Sequence, residues 1–323
     1  MKSVRLVTAF LMTTALSCAT ATTTPATTTT TAAPAGPPPG IGRRDDAGQL
    51  GPYGEGPLVL LAHQSAEYSA KVNSWLVEGP TEIGLVDAQL VMPEGVKVAE
   101  LVRSRGKKLA WIWITHAHPD HYAGLEAIAK AFPGTPLLTR PGTVEEAPGL
   151  LKAYDAPLQR FFAGEMTTSP ATLTAWTEPT LKVDGHELRI VDIVGGEHAT
   201  STALVIPSMK AMLIADLVYN RVHPWTNELD TDGILRHVDE LAAMPDVDTF
   251  YPGHGEPFGK EALPAYRAYI HDFLADAKVA TDANDLVLRT WKRHPDWRTM
   301  AGLRFSAAAH IEAREAAKKA AEK

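Results

Sequence analysis

The 323-residue chain contains a single cysteine. One thiol excludes an intrachain disulfide and a metal site built from several thiolates. An excess of positive charge is also missing, because 31 Lys and Arg residues stand against 38 Asp and Glu residues, for a net charge of −7. This balance argues against a sequence-blind nucleic-acid binder, which needs a basic surface. We therefore expect a small-molecule substrate and no nucleic-acid partner.

The chain also lacks long apolar runs of the kind that cross membranes. The stretch over residues 6–16 is diluted by threonines and is too short to span roughly 30 Å of hydrocarbon. It follows Lys2 and Arg5, and small residues come after it, which predicts an export signal over residues 1–18. The overall composition, 45% hydrophobic and 21% charged, excludes a polytopic membrane protein and a wholly disordered chain.

Two processing sites compete at the end of this signal. Residues 15–18 (ALSC) are similar to a bacterial lipobox whose lipid would be attached to Cys18, whereas residues 19–21 (ATA) fit an ordinary signal peptidase. The cysteine favours the lipobox. Either site predicts a protein of the bacterial periplasm or outer surface, whose membrane contact is limited to an N-terminal lipid anchor. A cytosolic protein is the alternative.

The next segment predicts a linker. Residues 19–40 contain only Thr, Ala, Pro and Gly, and such a segment cannot bury enough apolar surface to offset its ordering entropy. We place the linker at residues 19–49. A catalytic domain then covers residues 50–259, and a C-terminal helical extension packed on the same domain covers residues 260–323.

The folded part alternates between strand-like and helical patterns. Apolar runs rich in β-formers predict these strands: 58–62, 68–77, 82–90, 109–115, 136–139, 172–176, 181–183, 187–194, 203–206, 211–215 and 249–251. Helical spacing predicts these helices: 98–105, 121–132, 233–243 and much of the chain after residue 260. Two strand-rich blocks, each followed by helices, predict an α/β fold of two packed sheets with helices outside.

Histidine is the conspicuous residue type. The run Thr-His-Ala-His-Pro-Asp-His supplies four donors in six residues, namely His116, His118, Asp120 and His121. Because His116 and His118 are two apart at the end of a predicted strand, their imidazoles lie on the same side of the chain. A metal ion satisfies such a cluster directly, and nitrogen and oxygen ligands suit zinc.

Further candidates follow later strands. His198 comes after the strand at 187–194, Asp216 closes the strand at 211–215, and His254 follows the short strand at 249–251. Ligands in loops at the same end of successive strands can converge on one cleft.

This arrangement resembles the metallo-β-lactamase-fold hydrolase superfamily. The HxHxDH motif is complete, and the later ligands match in order as His198, Asp216 and His254. Ala199 follows His198 where many relatives have Thr. The resemblance implies a four-layer αββα sandwich, which here carries a C-terminal helical extension.

The resemblance also implies the role of each site residue. The family binds two metal ions at adjacent sites, and the ligands of the first, site one, would be His116, His118 and His198. Site two is formed by Asp120, His121 and His254, with Asp216 bridging the two ions. Two zinc ions per chain are expected, although iron and manganese suit the same ligands. Asp120 would also orient the attacking hydroxide, and Asp87 would fix a ligand imidazole from behind.

Several subclasses of the family can be compared. A folded part without cysteine excludes β-lactamases with a thiolate ligand, and the presence of Asp216 disfavours the others. An exported protein encounters little glutathione thioester, so esters and lactones are the favoured substrate classes. The predicted function is thus a binuclear zinc hydrolase of an ester or lactone. The alternatives are a mononuclear-iron persulfide dioxygenase, a β-lactamase and a non-catalytic metal-binding or ligand-binding surface protein.

Candidates for substrate contact lie in the loop after Asp216. Tyr219 or His223 would donate a hydrogen bond to a developing oxyanion, and Trp225 would line an apolar pocket. A loop packed by its own aromatic residues explains them equally well. The oligomeric state and the role of the C-terminal helices stay open.

Overall fold

The structure, a computed structural model, describes residues 42–167 and 169–322. The predicted export signal and most of the predicted linker lie outside the described residues. Among the helices of the described ranges, none combines the length and the apolar character that a membrane crossing requires.

Two β-sheets form the centre of the described part. The first sheet has the spatial order β1 to β7 and contains β1 (Gly48–Tyr53), β2 (Val59–Gln64), β3 (Asn73–Glu78), β4 (Glu82–Val86), β5 (Lys108–Trp113), β6 (Leu137–Thr139) and β7 (Thr174–Ala175). The second sheet contains β8 (Thr180–Val183), β9 (His186–Val194), β10 (Thr200–Ile206), β11 (Ala211–Ala215), β12 (Thr249–Pro252) and β13 (Phe258–Gly259). Its spatial order is β13-β12-β11-β10-β9-β8. Strands β4 to β7 are parallel neighbours, as are β11 and β12.

Helices cover the outer face of each sheet. The first sheet is covered by α1 (Met92–Ser104), α2 (Pro119–Tyr122), α3 (Leu125–Ala131) and α4 (Pro141–Phe162). The second is covered by α5 (Thr231–Ala243), α6 (Leu263–Val279), α7 (Ala283–Arg293) and α8 (Met300–Ala321). A third apolar cluster joins the inner faces, where Trp75 and Trp113 of the first sheet pack with Leu204 and Leu213 of the second. The predicted αββα sandwich with a C-terminal helical region is therefore confirmed.

The early chain differs from the sequence prediction in two places. The predicted strand over 68–77 starts as a 3-10 turn at Glu67–Ser69, because Ala70 and Lys71 have positive φ angles that reverse the chain before β3. The predicted start of the catalytic domain at residue 50 falls inside β1, which pairs antiparallel with β2 from Gly48 onwards.

Helix α4 is the largest element that the sequence patterns missed. Pro148 and Pro157 lie inside it, and proline ordinarily breaks a helix because it lacks an N–H donor. The helix forms nevertheless, since Leu150, Leu151 and Phe162 bury an apolar face against the first sheet. The burial of this apolar face therefore outweighs the low helix propensity of the two prolines.

The chain after residue 260 is helical, as predicted. Helices α6, α7 and α8 share one apolar cluster with the second sheet. The Arg314 guanidinium on α8 donates to the carbonyl oxygens of Ala277 and Ala280 at the end of α6, at 2.8 and 2.7 Å. The helical extension is thereby fixed to the body of the sandwich.

Side-chain hydrogen bonds join the two sheets at one edge. The Trp75 indole N–H donates to Pro252 O at 2.8 Å, so β3 holds the end of β12. On the other side, the Thr202 hydroxyl donates to Thr115 O at 2.9 Å and accepts from the Trp113 indole at 3.0 Å. These bonds hold the carboxyl ends of β5 and β12 in place, and β11 ends at the same edge because it is the parallel neighbour of β12.

Candidate metal centre

The predicted histidine cluster forms in the loop that follows β5. His116 and His118 lie in this loop, and α2 starts directly afterwards and carries Asp120 and His121. The ring centroid of His116 lies 4.9 Å from that of His118 and 4.3 Å from that of His121. All three imidazoles are buried. The run of four donors is thus folded into one compact group.

Two later strands add their ligands to this group. Asp216 directly follows β11, and His254 lies two residues after β12. Asp216 Oδ1 lies 3.3 Å from His121 Nε2, and its Oδ2 lies 3.2 Å from His254 Nε2. Asp120 Oδ2 lies 3.3 Å from the same His254 nitrogen. Asp216 therefore stands between the histidines, where a bridging carboxylate is expected.

Asp87 holds the cluster from behind. It follows β4 with a φ of 63° and accepts hydrogen bonds from the backbone N–H and the hydroxyl of Thr115, both at 2.9 Å. It also accepts from His121 Nδ1 at 2.8 Å. Because the Thr115 hydroxyl donates to Asp87, it accepts from His116 Nδ1 at 3.0 Å. His254 Nδ1 donates to Ala70 O at 2.7 Å.

These contacts fix the tautomers of three imidazoles. In the neutral forms of His116, His121 and His254 the Nδ1 atom carries the proton, so Nε2 is left as a lone-pair donor for a metal. Each Nε2 is buried and has no hydrogen-bond partner. Partners of this kind orient metal-ligating histidines and increase their basicity.

The turn between β9 and β10 contributes two adjacent residues. Glu197 Oε1 lies 2.7 Å from His118 Nδ1, and Glu197 Oε2 lies 3.7 Å from His116 Nε2. His198 Nε2 lies 3.0 Å from a carboxylate oxygen of Glu146 on α4. Sequence reasoning missed both glutamates. The available signal was the position of Glu197 directly before a predicted ligand.

The unpartnered atoms fit a metal ion. Buried donor atoms without a hydrogen-bond partner are found on these predicted ligands: His116 Nε2, His118 Nε2, His121 Nε2, His198 Nδ1, Asp216 Oδ1 and His254 Nε2. Two donors that each lie about 2.0–2.2 Å from one ion are at most about 4.4 Å apart, and the separations from Asp216 to His121 and His254 meet this limit. Groups of three donors suited to one ion are His116, His121 and Asp216; His116, His118 and Glu197; His118, His198 and Glu228; and Asp120, His121 and His254. The cluster can therefore bind metal.

Charge is distributed unevenly over the cluster. Burial opposes a charge on His118, yet Glu197 raises the pKa of that imidazole to about 9. Burial likewise opposes a charge on His254, and Asp216 raises its pKa to about 10. For His116, burial and the neighbouring histidines hold the pKa well below its usual value. Burial also opposes a charge on His121, but Asp216 and Asp87 hold the pKa of that imidazole well above its usual value. Without a metal, protons thus reside on His118, His121 and His254, and metal binding must displace them.

The predicted substrate residues lie around the same centre. The Tyr219 hydroxyl donates to Asp216 Oδ2, and its ring stacks on His254 with centroids 4.7 Å apart. Buried His223 contacts the Tyr269 hydroxyl through Nδ1 at 2.8 Å. The Trp225 ring lies 6.0 Å from the His118 ring. Tyr219, His223 and Trp225 all line the cavity above the metal cluster.

This cavity is large and mostly apolar. Its empty volume is about 960 Å³, with the open mouth included. The floor is formed by His118, Asp120, Glu197 and His254. Most of the remaining lining side chains are apolar or aromatic, and those from α4 and α8 are Tyr154, Pro157, Leu158, Phe161, Phe162, Ala301 and Phe305. Sequence reasoning missed the α4 side because it missed the helix.

Comparisons with known proteins agree with this geometry. The family model described as the metallo-beta-lactamase superfamily matches residues 70–254, more than half of the chain. A curated Bacillus subtilis (strain 168) protein described as "Uncharacterized protein YobT" is 43% identical over 63 residues, and the match spans about a quarter (26%) of that protein and 19% of this chain.

Solved structures share the fold at low sequence identity. A beta-lactamase domain protein from Burkholderia ambifaria matches with a TM-score of 0.60 and 19% identity, over 84% of this chain and 89% of that one. A metallo-beta-lactamase family protein from Thermus thermophilus matches with a TM-score of 0.53 and 19% identity, over 72% and 86%. A double mutant of the sec-alkyl sulfatase PisA1 matches with a TM-score of 0.53 and 15% identity, over 82% of this chain and 50% of that one.

Proposed function

Because the chain belongs to the metallo-beta-lactamase superfamily, whose members are generally metal-dependent hydrolases, we propose that it is a zinc-dependent hydrolase of a neutral ester or lactone with an apolar substituent. The observation that carries this proposal is the position of the buried metal-binding cluster at the floor of an apolar cavity. Two ions are proposed, with Asp216 as the ligand they share. Bound metal would polarise the carbonyl oxygen and lower the pKa of a bound water towards neutrality.

The chain's own groups would orient the attacking water. Asp120 lines the cavity and lies 3.3 Å from His254 Nε2, and its side chain is more exposed than those of the histidines. Burial opposes ionisation of Asp120, but His121 and His254 hold its pKa below the usual value. At neutral pH its carboxylate is therefore an acceptor that can orient a water and take its proton.

The walls support a neutral, apolar substrate. Among the described residues that line the cavity, none is Lys or Arg. An anionic substrate therefore finds no Lys or Arg side chain among these residues, whereas Leu158 and Phe305 offer apolar surface to an acyl or alkyl chain. This distinction favours an ester or lactone over a phosphodiester.

A second candidate is hydrolysis of an alkyl sulfate ester. The structural likeness to a sec-alkyl sulfatase concerns the fold, and the apolar walls would suit an alkyl chain. The sulfate charge would have to be neutralised by metal alone, because no Lys or Arg side chain is present among the described lining residues. We therefore favour hydrolysis of a neutral ester or lactone over hydrolysis of an alkyl sulfate.

One panel tests the proposal. The full-length, zinc-loaded protein is assayed with acetyl and octanoyl aryl esters, lactones, thioesters, a chromogenic cephalosporin, a phosphodiester and an alkyl sulfate, with metal content measured in parallel. We expect two zinc ions per chain and hydrolysis of octanoyl esters or lactones. Replacing His118 or Asp216 by Ala should abolish this hydrolysis. Unchanged turnover in both variants would contradict the proposal.

Other results of the same panel would support one of the alternative functions. One iron per chain with oxygen consumption on a persulfide supports the dioxygenase, and cephalosporin cleavage alone supports a β-lactamase. A chain that binds metal or ligand without turnover supports a non-catalytic surface protein.

We also propose that the protein is exported, on the basis of the charged start and short apolar stretch in its first 18 residues. Mass spectrometry of the mature N-terminus in a bacterial host tests this. A lipid-modified Cys18 supports anchoring, cleavage after residue 21 supports a free exported protein, and an uncleaved chain in the cytosol contradicts export.

A further inference from the structure

The turn after β9 places a carboxylate, not an imidazole, beside the first two histidines. Glu197 is 5% exposed, and its two oxygens face His118 Nδ1 at 2.7 Å and His116 Nε2 at 3.7 Å. The His116 nitrogen has no hydrogen-bond partner although it is fully buried. The resemblance of the sequence to its family implies that His198 takes this position.

His198 lies on the other side of His118. Its Nε2 atom contacts Glu146 at 3.0 Å, and its ring centroid is 5.7 Å from that of His116. The metal-binding group that includes His198 contains His118 and exposed Glu228, but not His116. His198 Nε2 is therefore engaged by Glu146 of α4. Its ring lies 4.5 Å from that of His118, and its unpartnered Nδ1 belongs to the donor group of His118 and Glu228 and not to that of His116.

We propose that Glu197 is the third ligand of the site-one metal, together with His116 and His118, and that His198 lies outside this ligand set. A carboxylate this deeply buried requires a positive partner. The partners of Glu197 are His116, His118 and the Tyr219 hydroxyl, so no Lys or Arg supplies that charge. A protonated His118 supplies it while the site holds no metal, and a divalent cation shared with the two histidines would replace that proton.

The local backbone explains why the glutamate takes this position. Gly195 and Gly196 have φ angles of 77° and 87°, a region that favours glycine. Gly196 N–H donates to Asp230 at 2.8 Å, which fixes the turn just before Glu197. Adjacent residues 197 and 198 then point in different directions.

The chemical consequence concerns the choice of metal. Two imidazoles and one carboxylate carry a negative charge that three neutral imidazoles lack. Such a donor set is harder, and it shifts preference from zinc towards Mn²⁺ or Fe²⁺ compared with a three-histidine site.

The experiment compares Glu197→Gln with the matched control His198→Gln in the full chain. Metal content, competition with a chromogenic chelator and the visible spectrum of the Co²⁺-loaded protein are measured. For Glu197→Gln we expect loss of one ion, or at least about 100-fold weaker binding of it, and a changed Co²⁺ spectrum. For His198→Gln we expect two ions and an unchanged spectrum.

The readouts separate this inference from the proposed function, because metal binding is measured without any substrate. Loss of the ion in His198→Gln but not in Glu197→Gln would overturn the inference, and so would equal effects in both variants. Circular dichroism checks folding. If Glu197→Gln does not fold, Glu197→Asp serves instead, and an unchanged Co²⁺ spectrum in that shortened variant would also overturn the inference.

Discussion

His121 joins two carboxylates through its two ring nitrogens: Nδ1 lies 2.8 Å from Asp87 Oδ2, and Nε2 lies 3.3 Å from Asp216 Oδ1. The first contact fixes the proton on Nδ1 and thereby makes Nε2 a lone-pair donor. The orientation of this candidate ligand on α2 is thus set by Asp87 at the end of β4, the strand beside β5.

The first prediction concerns this contact. Asp87→Asn should weaken metal binding by about 10- to 100-fold, because an amide stabilises the donor form of the His121 Nδ1 atom less than a carboxylate does. Chelator competition measures the effect. Asp276→Asn is the control, since Asp276 is equally buried but pairs with Arg293 far from the cluster. Unchanged metal affinity in Asp87→Asn would contradict the role assigned to Asp87.

A second prediction concerns the glycine before His254. A Cβ atom on Gly253 would lie 2.1 Å from Asp216 Oδ1 and 3.0 Å from His121 Cε1. Gly253→Ala should therefore displace the Asp216 carboxylate and lower metal occupancy, while the chain still folds because the displaced atom is a side-chain end. Metal analysis and circular dichroism test this. Gly149→Ala is the control, as a Cβ there meets no atom within 4 Å. Full occupancy in Gly253→Ala would count against the placement of Asp216.

A third prediction concerns the cavity wall. Phe305→Ala removes apolar surface from α8 and should raise KM for an octanoyl ester about tenfold, with little change for an acetyl ester. The comparison of the two esters separates loss of chain binding from a general defect. Val194→Ala serves as a control because Val194 is exposed on the surface and does not line the cavity. Equal effects on both esters would mean that the acyl chain does not bind against α8.

A fourth prediction concerns stability in acid. Burial lowers the pKa of His223 to about 3. Since the unfolded chain takes up this proton near pH 6.5, the folded state is favoured above that pH and loses stability as the pH falls towards 3. The contribution of His223 is about 1.4 kcal/mol per pH unit over this range. Urea unfolding of the wild type and of His223→Gln between pH 7 and pH 4.5 should therefore converge as the pH falls. Parallel curves would show that His223 is not buried in its neutral form.

The sequence predicted the sandwich and most of the centre because those signals are local. Two histidines spaced by two residues at a strand end must share a side, and the ends of parallel strands must share an edge. It did not predict the orientations of Glu197 and His198, which depend on the turn at Gly195 and Gly196.

The missed elements depend on contacts distant in sequence. Helix α4 contains two prolines and is stabilised by its packing on the first sheet, so no local pattern could indicate it. The glutamate on this helix that faces His198 was missed for the same reason. Strand β1 likewise depends on its pairing with β2, since its own sequence, GQLGPY, has weak β propensity.

One side of the cavity wall comes from α4 and α8, whereas the candidate ligands of the central cluster follow strands or lie on the short helix after β5. That part of the substrate selectivity is therefore encoded in stretches of the chain separate from the candidate ligands. Mutations that reshape the two wall helices can retune which substrate fits without disturbing the coordination sphere. In evolutionary terms, a lineage with this architecture can exchange substrates gradually while its reaction is conserved.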